Sequence, residues 1–264
     1  MSEPISLTQQ DAVLTVALNR PEVHNAMNPA LVQALTELFA RDIPARDDVR
    51  VVVLTGNGRS FCAGADLAFM RAAADYTFEE NLADGYAIFD LMQAIDSCPR
   101  PVVARVNGAA IGGGVGLVAC ADIVVAVARA KFGLSEARLG IAPAVISPFV
   151  LAKIGARHGR ELFLTGERFG AQRAQAIGLV GHVAADEAEL DTAVSDRVDN
   201  LLQAAPGAQA AIKELIATVA NQPKADMRHY TADLIARRRA SDEGKEGMSS
   251  FLEKRLPWWR AGGE

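Results

Sequence analysis

A chain of 264 residues, half hydrophobic and 22% charged, carries enough apolar side chain to bury a core, which excludes a disordered protein. Its 32 acidic and 27 basic side chains leave a formal charge of −5. That balance excludes a general nucleic-acid binder built on a basic stripe, but leaves room for a local basic pocket around one phosphorylated ligand. Cys62, Cys98 and Cys120 are far apart and form no CxxC, so reduced thiols in a reducing compartment are expected. Met1-Ser2-Glu3-Pro4 has neither the basic flank nor the apolar centre of a signal peptide. No run reaches the ~18–20 apolar residues of a membrane helix, so a cytoplasmic protein that engages no membrane is the expectation.

Residues 12–18 (AVLTVAL) alternate and are β-branched, which predicts a strand ending at Asn19-Arg20-Pro21, where proline removes a ladder donor. Asn28-Pro29 then reads as an N-cap followed by proline in the first turn, opening an amphipathic helix to about Ala40. Residues 50–54 (RVVVL) form a short buried strand stopped by Thr55-Gly56-Asn57-Gly58. Helical patterns follow over 67–74 and 78–95. Residues 101–106 give another strand, 111–120 a small-residue segment that must pack closely, and 122–128 a strand. Strands alternating with helices predict an α/β core with crossover connections. After Gly181-His182-Val183 only helices are predicted, over 185–204, 208–219, 227–238 and 242–252.

Three segments hold the candidate chemistry. Gly56-Asn57-Gly58-Arg59-Ser60-Phe61-Cys62-Ala63-Gly64-Ala65-Asp66-Leu67 joins a strand to a helix through small residues, so a ligand can approach the backbone and the helix start presents free N–H groups. Gly64 can turn the Ala65 amide towards a cavity. A glycine-rich turn with structural duties alone leaves the same trace, and the dinucleotide fingerprint GxGxxG is absent. In Asn107-Gly108-Ala109-Ala110-Ile111-Gly112-Gly113-Gly114-Val115-Gly116, three glycines at a helix start cost about 0.5–1 kcal/mol each against alanine. Tight helix packing explains them, and so does a second exposed amide able to hold an oxyanion. Finally, Glu136 stands among apolar and small residues in Phe132-Gly133-Leu134-Ser135-Glu136. Such surroundings raise a carboxyl pKa by desolvation, as an acid/base catalyst working near neutral pH requires; a solvated surface charge is the plainer alternative.

Taken in order, these blocks resemble the crotonase (enoyl-CoA hydratase/isomerase) superfamily, and the likeness runs through most of the chain. Asn19-Arg20-Pro21 with Asn25-Ala26-Met27 resembles that family's first-strand exit. Phe61-Cys62-Ala63-Gly64-Ala65-Asp66-Leu67 is similar to its CoA-binding loop, and Asn107 with Gly112-Gly113-Gly114 to its second oxyanion loop. Phe132-Gly133-Leu134-Ser135-Glu136 is similar to its catalytic-glutamate segment, and Leu164-Thr165-Gly166 with Ala176-Ile177-Gly178-Leu179-Val180 to a later helix–turn–strand. The resemblance implies an α/β fold, a spiral of ββα units over residues 1–190 forming two roughly perpendicular sheets. A helical C-terminal region over 191–264 would then serve for trimerisation, with trimers often paired as hexamers. It also implies an acyl-CoA thioester substrate, with coenzyme A entering as part of that substrate and no tightly bound cofactor. The amides of Ala65 and Gly113 map onto the oxyanion hole, where loss of one donor typically costs roughly 3–4 kcal/mol. Glu136 maps onto the acid/base. Val23, His24, Ala63, Gly64, Ala65, Asp66, Leu67 and Ala68 map onto the surface for CoA, and Gly113 and Gly116 onto the reacting end.

At one position the chain departs from the pattern. Hydratases of this family typically hold water between two glutamates, and the second position here is Gly116. Three readings follow from the resemblance. A hydratase could act on an acyl-CoA whose own polar group fills the space at Gly116, as in the bacterial 3-methylglutaconyl-CoA hydratases that Ile141-Ala142-Pro143-Ala144-Val145-Ile146-Ser147-Pro148 resembles. A Δ3,Δ2-enoyl-CoA isomerase would need Glu136 alone. A small anion could fill the space, as in naphthoate synthases. From another class, a non-catalytic acyl-CoA-binding subunit stays in view, although both oxyanion segments and Glu136 are intact. No metal is expected, because His24, His158, His182 and His229 show no ligand spacing. Ala68, Met70, Phe89 and Phe149 are candidates for the acyl pocket, Arg237, Lys245, Lys254 and Arg255 for the CoA phosphates, and Trp258 and Trp259 for packing anchors.

Overall fold

In the computed structural model, residues 3–220 and 222–260 are described. The chain enters through an antiparallel hairpin, β1 (Ile5–Gln10) and β2 (Val13–Leu18), in which Ile5 faces Leu18 and Gln10 faces Val13. β2 alternates half-buried and buried side chains from Val13 to Val16, as its sequence predicts, and then stays buried through Ala17 and Leu18. β1, mostly exposed, is an edge strand whose polar end Thr8-Gln9-Gln10 hides it from a hydrophobicity search. Asn28 caps α1 (Pro29–Glu37), its side chain accepting from the Leu31 N–H, as the Asn-Pro pair predicts.

Three similar turns of chain follow. β3 (Val51–Gly56) runs wholly buried, then β4 (Ser60–Cys62) moves to a second sheet, and α2 (Leu67–Ala73) and α3 (Phe78–Asp96) return. β5 (Val102–Val106), β6 (Ala109–Ile111) and α4 (Gly113–Cys120) repeat the pattern. So do β7 (Ile123–Val127), β8 (Lys131–Gly133) and α5 (Ser147–Thr165), the last broken at Gly155. Thereafter β9 (Arg168–Gly170) precedes α6 (Ala171–Ala176), and β10 (His182–Ala184) closes the strands. The longer strands, with the three-residue β10 at one edge, build one six-stranded sheet ordered β1-β2-β3-β5-β7-β10, and the other three-residue strands a second ordered β4-β6-β8-β9. Every neighbouring pair is parallel except β1–β2 and β8–β9. This is the expected α/β spiral of ββα units. Short valine-rich strands buried on both faces are what parallel pairing between crossover helices requires.

Three-residue strands are too brief for periodicity, so β4, β6, β8, β9 and β10 were not legible individually. The small-residue segment over 111–120 resolves into the end of β6 and α4, whose Gly114 packs so tightly that a Cβ there would lie 2.4 Å from the Cys62 carbonyl oxygen. The expected boundary after residue 190 falls inside α7 (Glu187–Leu202), which packs against β5, β7 and β10 and buries Leu190, Ala193, Val194 and Val198. The helices beyond it are α8 (Pro206–Val219), α9 (Met227–Ala240) and α10 (Asp242–Glu253). Arg50 ties this tail to the sheet by donating to the carbonyls of Leu202, Ala204 and Trp259. Among the described residues no helix is long and apolar enough to cross a membrane.

Candidate active site

The loop between β4 and α2 is pinned from one side only. The Met27 N–H donates to the Gly64 carbonyl at 2.7 Å, and the Asp66 N–H donates to the Met27 carbonyl at 2.9 Å. These two bonds form an isolated parallel bridge between Met27 and Ala65. In such a bridge the N–H of the middle residue points away from its partner strand. The Ala65 amide is therefore directed outwards, with no acceptor among the described residues, and Ala65 is exposed. Gly64 makes this turn at φ 88°, against the Ile111 carbonyl; an L side chain there would be both strained and in collision.

The second loop lies directly across. Gly112 (φ 53°, ψ −121°) precedes α4 and donates its N–H to the Gly133 carbonyl at 2.8 Å, stitching the α4 start to the strand that leads to Glu136. α4 begins at Gly113, and its first intrahelical bonds run from Val115 and Gly116 to the Gly112 carbonyl. The amides of Gly113 and Gly114 are thus left without acceptors among the described residues, at the positive end of the helix dipole. Glu136 starts a short 3-10 turn (Glu136–Leu139), with Oε1 close to Gly112 (3.1 Å from where a Cβ would sit) and Oε2 buried without a hydrogen-bond partner. Burial pushes its pKa above the ordinary glutamate value, an effect its own backbone N–H only partly offsets. A half-buried carboxyl with one buried, unpartnered oxygen, next to the start of a helix with two unpaired amides, is equipped to move protons next to a developing negative charge.

Not every expected residue joins the site. Asp66 turns inwards: its Oδ2 pairs with Arg20 at 2.7 Å and its Oδ1 accepts from the Ala68 N–H, capping α2. It positions the loop instead of lining it. Gly116 is buried, and the space a side chain would take there is filled, with Cγ2 of Ile146 2.5 Å and Cε of Met92 3.0 Å from a would-be Cβ. The expectation that a substrate carboxylate or a small anion occupies that space is corrected: two apolar side chains already do. Val23 and Leu67 are exposed, His24 is half-buried at φ 57°, and Ala63, Gly64 and Ala68 follow the loop around the outward amide.

The His24 ring lies 3.0 Å from Ser60 Oγ and 3.0 Å from an Arg59 guanidinium nitrogen. Arg59 was legible only as part of its glycine-rich segment, without a role. Arg255 is engaged by Glu246 and Glu253, and Arg237 by Asp233. Along α3, Leu82, Gly85, Tyr86 and Phe89 face Ala144 and Val145 across a cleft of about 420 Å³, almost wholly apolar apart from Asn81. Phe89 rests on Phe149 at 5.5 Å between ring centroids, whereas Ala68 and Met70 lie outside this cleft. The Cys62 thiol beneath the first loop is fully buried and pushed up to about 12, which removes it as a nucleophile at neutral pH.

Comparison with known proteins adds the following. The profile of the enoyl-CoA hydratase/isomerase family matches residues 8–262. The enoyl-CoA hydratase AKT6-1 of Alternaria alternata is 39% identical over 207 residues, 78% of this chain and 67% of its own length. Among solved structures, an enoyl-CoA hydratase from Shewanella pealeana superposes with a TM-score of 0.93 at 37% identity, covering 97% of this chain and 96% of its own. Pseudomonas aeruginosa AtuE superposes with a TM-score of 0.94 at 36% identity, covering 97% and 99%.

Proposed function

Because the chain belongs to the enoyl-CoA hydratase/isomerase family, we propose that it adds water across the α,β double bond of an enoyl-CoA thioester, with Glu136 as its single acid/base. The observation that carries this reading is the Glu136 carboxyl, half-buried, raised in pKa, with Oε2 unpartnered and Oε1 close to Gly112 at the start of α4. The thioester oxygen sits between the amides of Ala65 and Gly113. As the oxygen of water bonds to C3, one water proton passes to the Glu136 carboxylate and the π electrons move onto the thioester oxygen as an enolate. The protonated carboxyl then delivers that proton to C2, restoring the thioester carbonyl and the carboxylate. The two amides act only on the charge that develops, which is where such donors lower a barrier most. Coenzyme A enters as the carrier of the acyl group, passing Val23, His24 and the loop through Ala68.

The 3-methylglutaconyl thioester remains our first acyl group, from the likeness of the segment after Glu136. The apolar cleft between α3 and Val145 suits its branched carbon chain. With Gly116 packed against Ile146, its carboxylate belongs at the cleft's outer edge, where Tyr86 and Leu82 are exposed. The filled space at Gly116 favours one second reading, a Δ3,Δ2-enoyl-CoA isomerase in which Glu136 carries a proton between C2 and C4 with no water. We further propose that the chain works as a trimer, a reading supported by the apolar side chains that α8 and α10 leave exposed, among them Ile216, Phe251 and Leu252.

The test is steady-state turnover of purified protein on 3-methylglutaconyl-CoA, crotonyl-CoA and trans-3-hexenoyl-CoA. Hydration favouring the first supports the full reading. Isomerisation of the third without hydration of the others replaces it with the isomerase. Thioester binding with no turnover of any leaves only a non-catalytic acyl-CoA-binding subunit.

A further inference from the structure

Met27 touches both halves of the pair of free amides. Its backbone holds the carbonyl of Gly64 and the N–H of Asp66, the two groups that flank and orient the Ala65 amide. Its side chain ends on the other loop: a Cβ built on Gly113 would lie 2.0 Å from Met27 Cε and 3.6 Å from Sδ. Met27 is buried, and both its chain neighbours are fixed. On one side, Arg20 donates to the Ala26 carbonyl while its second nitrogen grips Asp66 at 2.7 Å. On the other, Asn28 caps α1.

We propose that Met27, braced by Arg20, is a positioning residue that sets the separation of the Ala65 and Gly113 amides and so their fit to a thioester oxyanion. This rests on the reading of those amides as the oxyanion hole. The chemistry of the side chain agrees with the role. An unbranched thioether can lay a terminal methyl on a glycine Cα, whereas a branched or shorter residue would push the helix start away or let it approach. Arg20 suits the brace because its planar fork serves two acceptors at once, which an ammonium cannot reproduce.

The experiment compares wild type with Met27→Leu, which nearly conserves volume, and with Arg20→Lys, which keeps the charge. Each is examined for its melting curve, its kcat and KM on the preferred enoyl-CoA, and its binding of two probes. Butyryl-CoA, a saturated thioester, reports ground-state binding. Acetoacetyl-CoA reports the oxyanion hole, because its enolate absorbs in the near ultraviolet and is held by the same two donors. The expected result for folded Met27→Leu is a fall in kcat of tenfold or more with KM within threefold. Its enolate band should weaken while butyryl-CoA affinity is kept, and incorporation of norleucine at 27 should restore the band. Arg20→Lys should move the same two readouts in the same direction. A folded Met27→Leu with wild-type kcat and enolate band overturns the proposal and leaves the hydratase reading intact. So does a loss of kcat in both variants that tracks loss of butyryl-CoA binding with no change in the band. A wild type that neither turns over an enoyl-CoA nor generates the band overturns the reading itself, and the proposal with it.

Discussion

Glu136 is set apart from Asp66, the other carboxylate among the expected site residues, by what surrounds its two oxygens. Asp66, 9% exposed as a side chain, spends its charge on Arg20 and the Ala68 amide and is held below the usual carboxylate range. Glu136 has no such partners among the described residues, and desolvation raises its pKa. The base form is the carboxylate, so catalysis is lost as pH falls through that raised value. The acid limb of kcat/KM should therefore have its midpoint above the ordinary glutamate range, read from a pH–rate profile. Glu136→Gln should lower kcat by about 10²–10⁴, the usual range for a general acid/base, with butyryl-CoA affinity by calorimetry within a few-fold of wild type. Linkage gives a second sign. A group whose folded pKa is raised contributes stability at low pH that disappears as pH rises through the folded value. The melting temperature of Glu136→Gln relative to wild type should thus improve from pH 5 to pH 8.

At the scale of elements, the site depends on Gly64 letting the first loop lie against the backbone of the second. Gly64 occupies φ 88° with the Ile111 carbonyl 2.8 Å from a would-be Cβ. Gly64→Ala adds roughly 1–2 kcal/mol of left-handed strain to that collision, and its expected outcome is a kcat loss larger than any change in melting temperature. Gly116 shows two effects in opposition. Within a helix, alanine for glycine normally gains about 0.5–1 kcal/mol, but overpacking a filled core costs about 1–3 kcal/mol. Cγ2 of Ile146 is a branched, stiff neighbour at 2.5 Å, so packing wins. Gly116→Ala should melt lower than wild type, and combined with Ile146→Ala it should cost less than the sum of the two single changes by calorimetry. Gly116→Glu should be worse still, since it buries a carboxylate against Ile146 and Met92 as well as overpacking them.

Across the whole molecule, the spiral core and the C-terminal helices differ in what they leave uncovered. The six-stranded sheet buries β3 completely, while α8 and α10 expose Ile212, Ile216, Met248, Phe251 and Leu252, with Leu252 at 78% and Phe251 at 82%. Large apolar side chains left exposed on both helices are what the proposed partner surface would cover. The proposed trimer predicts sedimentation at three times the monomer mass or a multiple of it. Phe251→Asp with Leu252→Asp should shift the protein to smaller species, because two charges cannot be desolvated in an apolar contact. The core itself is held to these helices by Lys213 on Asp122 at 2.6 Å and by Arg50 on three carbonyls of the tail, so the variant should remain folded by circular dichroism.

What the sequence determined by itself is local. Valine-rich runs specify buried strands because period and β-branching act within a few residues, and Asn28-Pro29 specifies a helix start for the same reason. The Ala65, Gly113 and Glu136 segments were legible as candidates from their glycines and from the apolar setting of one glutamate, and the resemblance of the ordered blocks to the crotonase family gave them their roles. Tertiary structure decided the rest. It turned Asp66 from the ligand surface to Arg20, laid Ile146 in the space at Gly116, and put the thioether of Met27 on Gly113. Each of these pairs joins residues from different turns of the spiral, and no local periodicity reports which side chain will meet which. Their contacts arise only when parallel strands stack the turns and bring the loops at their ends together.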